Sequence, residues 1–293
     1  MKVKTLAAAA ILATPLFANA TPFTLFAGGN VDLEQGTQVA GDIGAKGNVN
    51  AKYGSQVAGN VTAGRNVTLE QNSRIKGNAT AGNRVDVKYL AEVTGKVAGK
   101  TNSPSLSTLP AATEFTANGA SYGIKSGKTG DLVHGEYGKV NLEYDSTLKL
   151  TAGSYYFDSL TVGSESKFIF DLSGGEIKLF IKGNVNIGSG FDFEMLNGSA
   201  NDIYTETRGN WTQGMSGEWF GTLFASGAGS NMHFNQGNKL GGIFMAGKNI
   251  QLDLNTTVNA MPEENKKVPV PGTLPLLALG LASLALFRRR RAD

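Results

Sequence analysis

Residues able to do chemistry are few in this 293-residue chain, and their spacing does not gather them. There is no cysteine, which excludes a thiolate nucleophile, a zinc-thiolate site and any disulfide. The two histidines, His134 and His233, stand far apart in the chain, and neither lies in an H-E-x-x-H metal motif. His233 falls within Met232-His233-Phe234, where strand alternation points it outward. Ser226 lies in Ala225-Ser226-Gly227, without the G-x-S-x-G elbow of a serine hydrolase. Carboxylate pairs for glycoside cleavage can be drawn from Asp171, Glu176, Asp192 and Glu194. Alternating strands offer such pairs as ordinary solvated faces, so no catalytic residue, cofactor or metal site is expected.

A contact surface is the chemistry that remains. Residues 204–224 (YTETRGNWTQGMSGEWFGTLF) interrupt the strand rhythm and gather both tryptophans, Trp211 and Trp219, with Tyr204, Glu206, Arg208, Glu218 and Phe220. As a long loop on a rigid β scaffold this segment would offer Trp211 and Trp219 for stacking on sugar rings. The alternative is that Trp219-Phe220 opens a core strand and Trp211 packs over a coil end.

The scaffold is legible from a repeat. Residues 30–100 divide into four blocks, 30–47, 48–65, 66–83 and 84–100, the first three equal in length and the last one position shorter. Val31, Val49, Val67 and Val85 align, as do Val39, Val57, Ile75 and Val93, and then Ile43, Val61, Ala79 and Val97. Gly41, Gly59, Gly77 and Gly95 form a glycine column, expected where φ is positive or where backbones approach closely. One block cannot bury its own valines. Stacked in register about 4.8 Å apart, the blocks make a continuous core, which predicts an all-β parallel β-helix (β-solenoid) with 18-residue coils. Glu34, Lys52, Glu70 and Lys88 then form an alternating charge ladder that either guards the register or records duplication of a two-coil unit.

Residues 101–118 (TNSPSLSTLPAATEFTAN) read as a linker or loop. From 119 to 260 short alternating strands return with heavier side chains, as in Phe168-x-Phe170-x-Leu172 and Ile177-x-Leu179-x-Ile181. Their spacing predicts a continued, thicker β-helix, with a separate β-sandwich as the alternative.

The termini carry targeting patterns. Residues 1–20 place Lys2 and Lys4 before an apolar run and end in Ala18-Asn19-Ala20, a signal peptide with an A-x-A cleavage site. Residues 268–287 contain no charge and are followed by Arg288, Arg289, Arg290 and Arg291. A helix of that length spans about 30 Å, so 261–293 predicts one C-terminal transmembrane helix with its arginines inside. The formal charge of +3 comes from these ends: without Lys2, Lys4, the four arginines and Asp293, the body holds slightly fewer basic than acidic residues. No basic patch is left to bind nucleic acid.

The tail resembles the PEP-CTERM sorting signal of exported proteins in Gram-negative bacteria. Val268, Pro269 and Pro271 match its V-P-x-P motif and Arg288–Arg291 its basic cluster, with Val270 where that family has Glu. The resemblance implies an exosortase-type sorting enzyme as partner and a transient membrane stay. The repeat resembles bactofilin-like polymer-forming β-helices, and FTLFAGGNVDLEQGTQVAGDIGAKGNVN resembles the opening of choice-of-anchor A surface proteins. Together these features predict a non-catalytic structural or adhesive protein of the cell surface or the biofilm matrix, associated with exopolysaccharide. The alternatives are a polysaccharide-active enzyme on the same scaffold, and a solenoid that polymerises head to tail from an uncapped first coil, 30–47.

Overall fold

Blocks that recur at a fixed interval can bury their valines only against one another, and the computed structural model, which describes residues 23–102, 104 and 106–261, shows them doing so. Val31, Val49, Val67 and Val85 stack in parallel register. The Val39 and Ile43 columns do the same. Strands form three faces of a parallel β-solenoid. The first face carries Leu25–Ala27, Ile43–Ala45 and their equivalents, the second Val31–Leu33 and Val49–Ala51, the third Gln38–Val39 and Gln56–Val57. A single turn of 3-10 helix, Ala200–Asp202, is the one helical element among the described residues, and no helix there is long and apolar enough to cross a membrane.

The region 119–260 continues the same solenoid, not a sandwich. Its coils are longer and uneven: Leu148 stacks on Phe168 and Phe168 on Phe193, each step wider than the repeat of the upper coils and the second wider than the first. A longer perimeter encloses a wider interior, and larger side chains fill it. Phe157, Phe168, Phe170, Phe191, Trp211 and Trp219 occupy these coils, where the 18-residue coils hold Val, Leu and Ala. Close packing requires that match of circumference and side-chain volume.

The coils do not stack in chain order. Leu25–Ala27 lies between Ile43–Ala45 on one side and Phe244–Ala246 on the other. Val31 sits on Ile250, and Val39 on Val258. In space the solenoid therefore starts at 119–132, climbs to 243–259, continues with 25–39 and finishes at 79–98, so each face holds eleven paired strand levels among the described residues. The first coil is an interior coil, so the expectation of an uncapped end there is corrected. The terminal coils of the stack are 84–98 and 119–132.

This order forces residues 101–118 to travel back along the whole stack. The described residues among them have no regular secondary structure and run as a strap down the first face. Leu106 and Leu109 pack on an outward apolar stripe of Phe26, Phe224 and Met245. Lower down Thr113 meets the 206–208 level, Phe115 lies 5.6 Å from Phe180 and 5.9 Å from Tyr156 (ring centroids), and the Asn118 amide donates to Glu136.

Two corner devices repeat. Each coil turns from second to third face through one residue of positive φ: Gly36, Gly54, Asn72 and Leu90 in the upper coils, Asp145, Glu165, Ser216 and Asn255 among those below. The glycine column read from sequence serves the other purpose considered for it, close approach. A Cβ on Gly59 would lie 2.5 Å from the Gly41 carbonyl carbon, and one on Gly77 2.5 Å from the Gly59 oxygen. The charge ladder closes at one rung, Lys52 to Glu34 at 2.5 Å, while Lys88 turns to Asp86 at 3.0 Å.

Candidate functional site

Trp211 and Trp219 are not a contact surface. Both are fully buried and meet edge to face, ring centroids 4.5 Å apart, with Phe168, Phe170, Phe191 and Phe193 around Trp219. The segment reads as strands Ile203–Thr207, Trp211–Gln213 and Glu218–Ala225, and alternation within them turns both tryptophans inward. Its polar residues hold the strap. Glu206, fully buried, accepts the Thr113 amide at 2.9 Å and the Tyr204 hydroxyl at 2.9 Å. Burial, then the Glu206 charge, push the Tyr204 phenol far above its ordinary value, so it stays a donor. Arg208 donates to the Thr113 carbonyl at 2.6 Å, pairs with Glu114 at 2.8 Å and lies 4.9 Å over the Phe115 ring.

The carboxylates considered for glycoside cleavage are each engaged elsewhere. Asp192 and Glu194 share Lys167, Glu176 pairs with Lys178 at 2.6 Å, and Asp171 accepts from Asn197 and Ser173, which holds its carboxyl below the usual range. His233 points outward and bonds Asp253 at 3.0 Å. No group of three or more His, Asp or Glu among the described residues is arranged to hold a metal. A shallow cleft of about 540 Å³ beside the start of the strap is lined by one titratable side chain, Lys46. The signal-cleavage residues Ala18 and Ala20, the sorting residues Val268, Pro269, Pro271 and Arg288–Arg291, and the expected transmembrane helix lie outside the described residues.

What the fold assembles instead is a flat polar face. The outward positions along the middle of the second face are, in spatial order, Gly123, Asn141, Thr161, Asn186, Thr212, His233, Gln251, Asp32, Asn50, Thr68 and Asp86. None is apolar. Levels about 4.8 Å apart make the row roughly 48 Å long. Beside it runs an asparagine ladder: Asn184, Asn210, Asn231, Asn249, Asn30, Asn48 and Asn66. Asn210 and Asn231 amides donate to the side-chain oxygens below them at 2.9 Å, and Asn249 Nδ2 donates to Asn231 at 3.0 Å. Asn30 then bonds Asn249 at 2.9 Å and Asn48 bonds Asn30 at 2.8 Å, so the ladder crosses the join between the two chain halves without a break. Asn66 continues it, its Nδ2 donating to Asn48 at 2.9 Å. The Asn184, Asn210, Asn249, Asn30 and Asn48 side chains each thereby satisfy a backbone N–H at a corner, and Asn231 accepts the Asn249 side-chain amide.

Sequence reasoning missed this face. The signal was present: Asn precedes the inward residue at 184–185, 210–211, 231–232 and 249–250 as it does at 30–31, 48–49 and 66–67. The longer, uneven coils hid the recurrence, because no single period relates these positions.

The face also lies opposite the corner where residues 24 and 260 meet. Thr24 bonds the Asp42 carbonyl at 2.8 Å, and Ala260 lies against the Gly41 position of the same corner, between third and first faces. Thr24 and Ala260 therefore meet at one corner at mid-length, and the second face is the side of the prism away from that corner.

A family model described as a domain of unknown function, DUF7305, matches residues 124–219. No curated protein matches the chain. Among solved structures the chain is similar to an ice-binding protein from an Antarctic biological consortium (16% identity, 81% of this chain and 87% of that one, TM-score 0.32). It is also similar to an ice-binding protein from an Antarctic Flavobacteriaceae bacterium (14%, 82% and 81%, TM-score 0.34). A third likeness is to the DUF3494 domain of a Shewanella frigidimarina ice-binding protein (15%, 82% and 94%, TM-score 0.34). Likenesses at such identities and TM-scores assign neither a family nor a ligand. The expected kinship with PEP-CTERM proteins, and of the body with bactofilins and choice-of-anchor A proteins, is corrected: the family model that matches is DUF7305, and nothing found lies in those families. The V-x-G punctuation behind the body's resemblance belongs to any tightly stacked parallel solenoid.

Proposed function

We propose that this chain is a non-catalytic, exported surface protein that adheres through its second face to a repetitive polar polymer, an exopolysaccharide in the first instance. The observation that carries the reading is the row of amides, hydroxyls, carboxylates and one imidazole from Asn141 to Asp86, held rigid by the asparagine ladder beside it. A rigid array with no ordering cost suits a ligand that repeats along its own length, since weak contacts at each level add within one binding event. The basic and apolar leader at 1–20 supports export.

Binding of the full chain to the exopolysaccharide of its own cell, measured by co-sedimentation, tests the proposal. Asn186→Trp with Gln251→Trp, which raises two exposed positions out of the flat row, is expected to weaken binding at least ten-fold; Gln56→Trp on the third face is expected to leave it unchanged. Equal binding by all three proteins sinks the reading. Shortening of the polymer by the wild-type protein would establish the enzymatic alternative in its place. Growth inhibition of ice, another periodic polar surface, without polysaccharide binding would keep the face and replace the ligand.

A further inference from the structure

The two ends of the solenoid differ. At 119–132 the Tyr122 side chain lies across the coil, its hydroxyl against Gly130 and donating to the Asp131 carbonyl, and Ile124 and Leu132 are buried beneath it. At 84–98 nothing comparable among the described residues covers the core. Val97 is 53% exposed, Val87 41%, and Tyr89 and Leu90 stand out at the adjoining turn with 75% and 62%. The strands Arg84–Val87, Glu92–Val93 and Val97–Ala98 pair with the coil below and have no strand above among the described residues. Such edges are ordinarily blunted by charge, proline or a covering element.

We infer that this end is an interface between two copies of the chain, joined end to end about a two-fold axis through the second face. Pairing across such an axis is antiparallel. Centred on Val85, it keeps inward residues facing inward and sets Val85 against Val85 of the second copy. It also sets Arg84 against Asp86 of the second copy, twice, so the outward charges of the edge strand are complementary to themselves. The same rotation exchanges first and third faces, bringing Val97–Ala98 over Glu92–Val93 of the other copy and covering the exposed valines. Parallel head-to-tail stacking meets no such complementary seat, because the Tyr122 side chain lies across the core at the other end. The contact is isologous and stops at two copies. It lays the two second faces side by side along one line, doubling the polar row, but the association stands whether or not that row binds polymer.

Sedimentation velocity of the full chain over a range of concentrations tests the inference. A reversible dimer that grows no further is expected. Arg84→Glu is expected to weaken it at least ten-fold, and Arg84→Glu combined with Asp86→Arg to restore it, with circular dichroism unchanged throughout. Because the chain contains no cysteine, Val85→Cys provides a second measurement: the variant is expected to cross-link to itself under mild oxidation, which only the two-fold arrangement allows. A monomer at every concentration, assembly beyond two copies, indifference to Arg84→Glu, or a dimer that V85C does not cross-link would each overturn it.

Discussion

Shortening the strap should strip the top of the solenoid while leaving the rest intact, and the structure sets the length at which this happens. Thr101 bonds Ala81 and Asn118 lies beside Glu136, so the strap descends ten levels, about 48 Å at 4.8 Å per level. Its 17 residue-to-residue steps reach about 56 Å at 3.3 Å each, leaving little slack. Deleting residues 104–108, above the Glu206 and Arg208 clamp, leaves 12 steps and at most about 43 Å at 3.6 Å each. The clamp and the top coil cannot then both be satisfied. Hydrogen exchange should show loss of protection at Val85, Val87 and Val93 with the 119–259 coils unchanged. A permuted chain supplies the control. The register places Asn259 and Ala260 where Ala40 and Gly41 lie one level on, and Thr24 where Asp42 lies, so Ala260 can be joined directly to Thr24. A chain running 119–260 then 24–100, with the strap omitted, winds the same solenoid in simple order. It should fold with native circular dichroism and with stability within about 3 kcal/mol of the parent, the scale of closing a loop the length of the strap. Full protection of the top coil after the five-residue deletion, or a permuted chain that does not fold, would refute the stacking order.

Three other outcomes follow from particular residues. Glu165 holds φ +57° at an exposed turn, so Glu165→Gly should stabilise the chain by about 1 kcal/mol in urea denaturation, glycine being free of the left-handed penalty. Trp219→Ala empties the aromatic centre of the wide coils and should cost about 3–5 kcal/mol, with loss of near-ultraviolet dichroism. Acid should loosen the ends first: hydrogen bonds from Lys125 and Lys88 hold Glu143 and Asp86 below the ordinary carboxylate value. Because the folded values are the lower ones, this stabilisation is complete above the unfolded carboxylate value near 4 and disappears as pH falls through the folded values. Exchange measured from pH 5 to pH 2 should show the 84–98 and 119–143 coils losing protection before 243–259; uniform loss would count against it.

How much was legible depended on how regular each column was. Val31, Val49, Val67 and Val85 recur at a constant interval, and a constant interval is a stacking register. The second region kept the alternation but not the interval, so Phe168 and Trp219 were readable as apolar and not as neighbours. Trp211 and Trp219 look like surface aromatics beside Arg208 and Glu206 because a strand as short as Trp211–Gln213 gives alternation too little length to declare its inner side. The asparagine ladder had its dipeptides in view, yet its continuity from Asn249 to Asn30 is a contact between residues 219 positions apart.

By itself, then, the sequence determined the coil: its length in the repeat, its inward valines and its glycine corner. Only the tertiary structure decided which coil lies on which, that the first coil is an interior one, that 101–118 is a strap, and that the open end is 84–98. The physical reason is that each coil of a solenoid touches only its two neighbours. The energy of that contact depends on matching columns and not on chain order, so Leu25 is satisfied by Phe244 as well as by any preceding residue, provided the strap is long enough to reach.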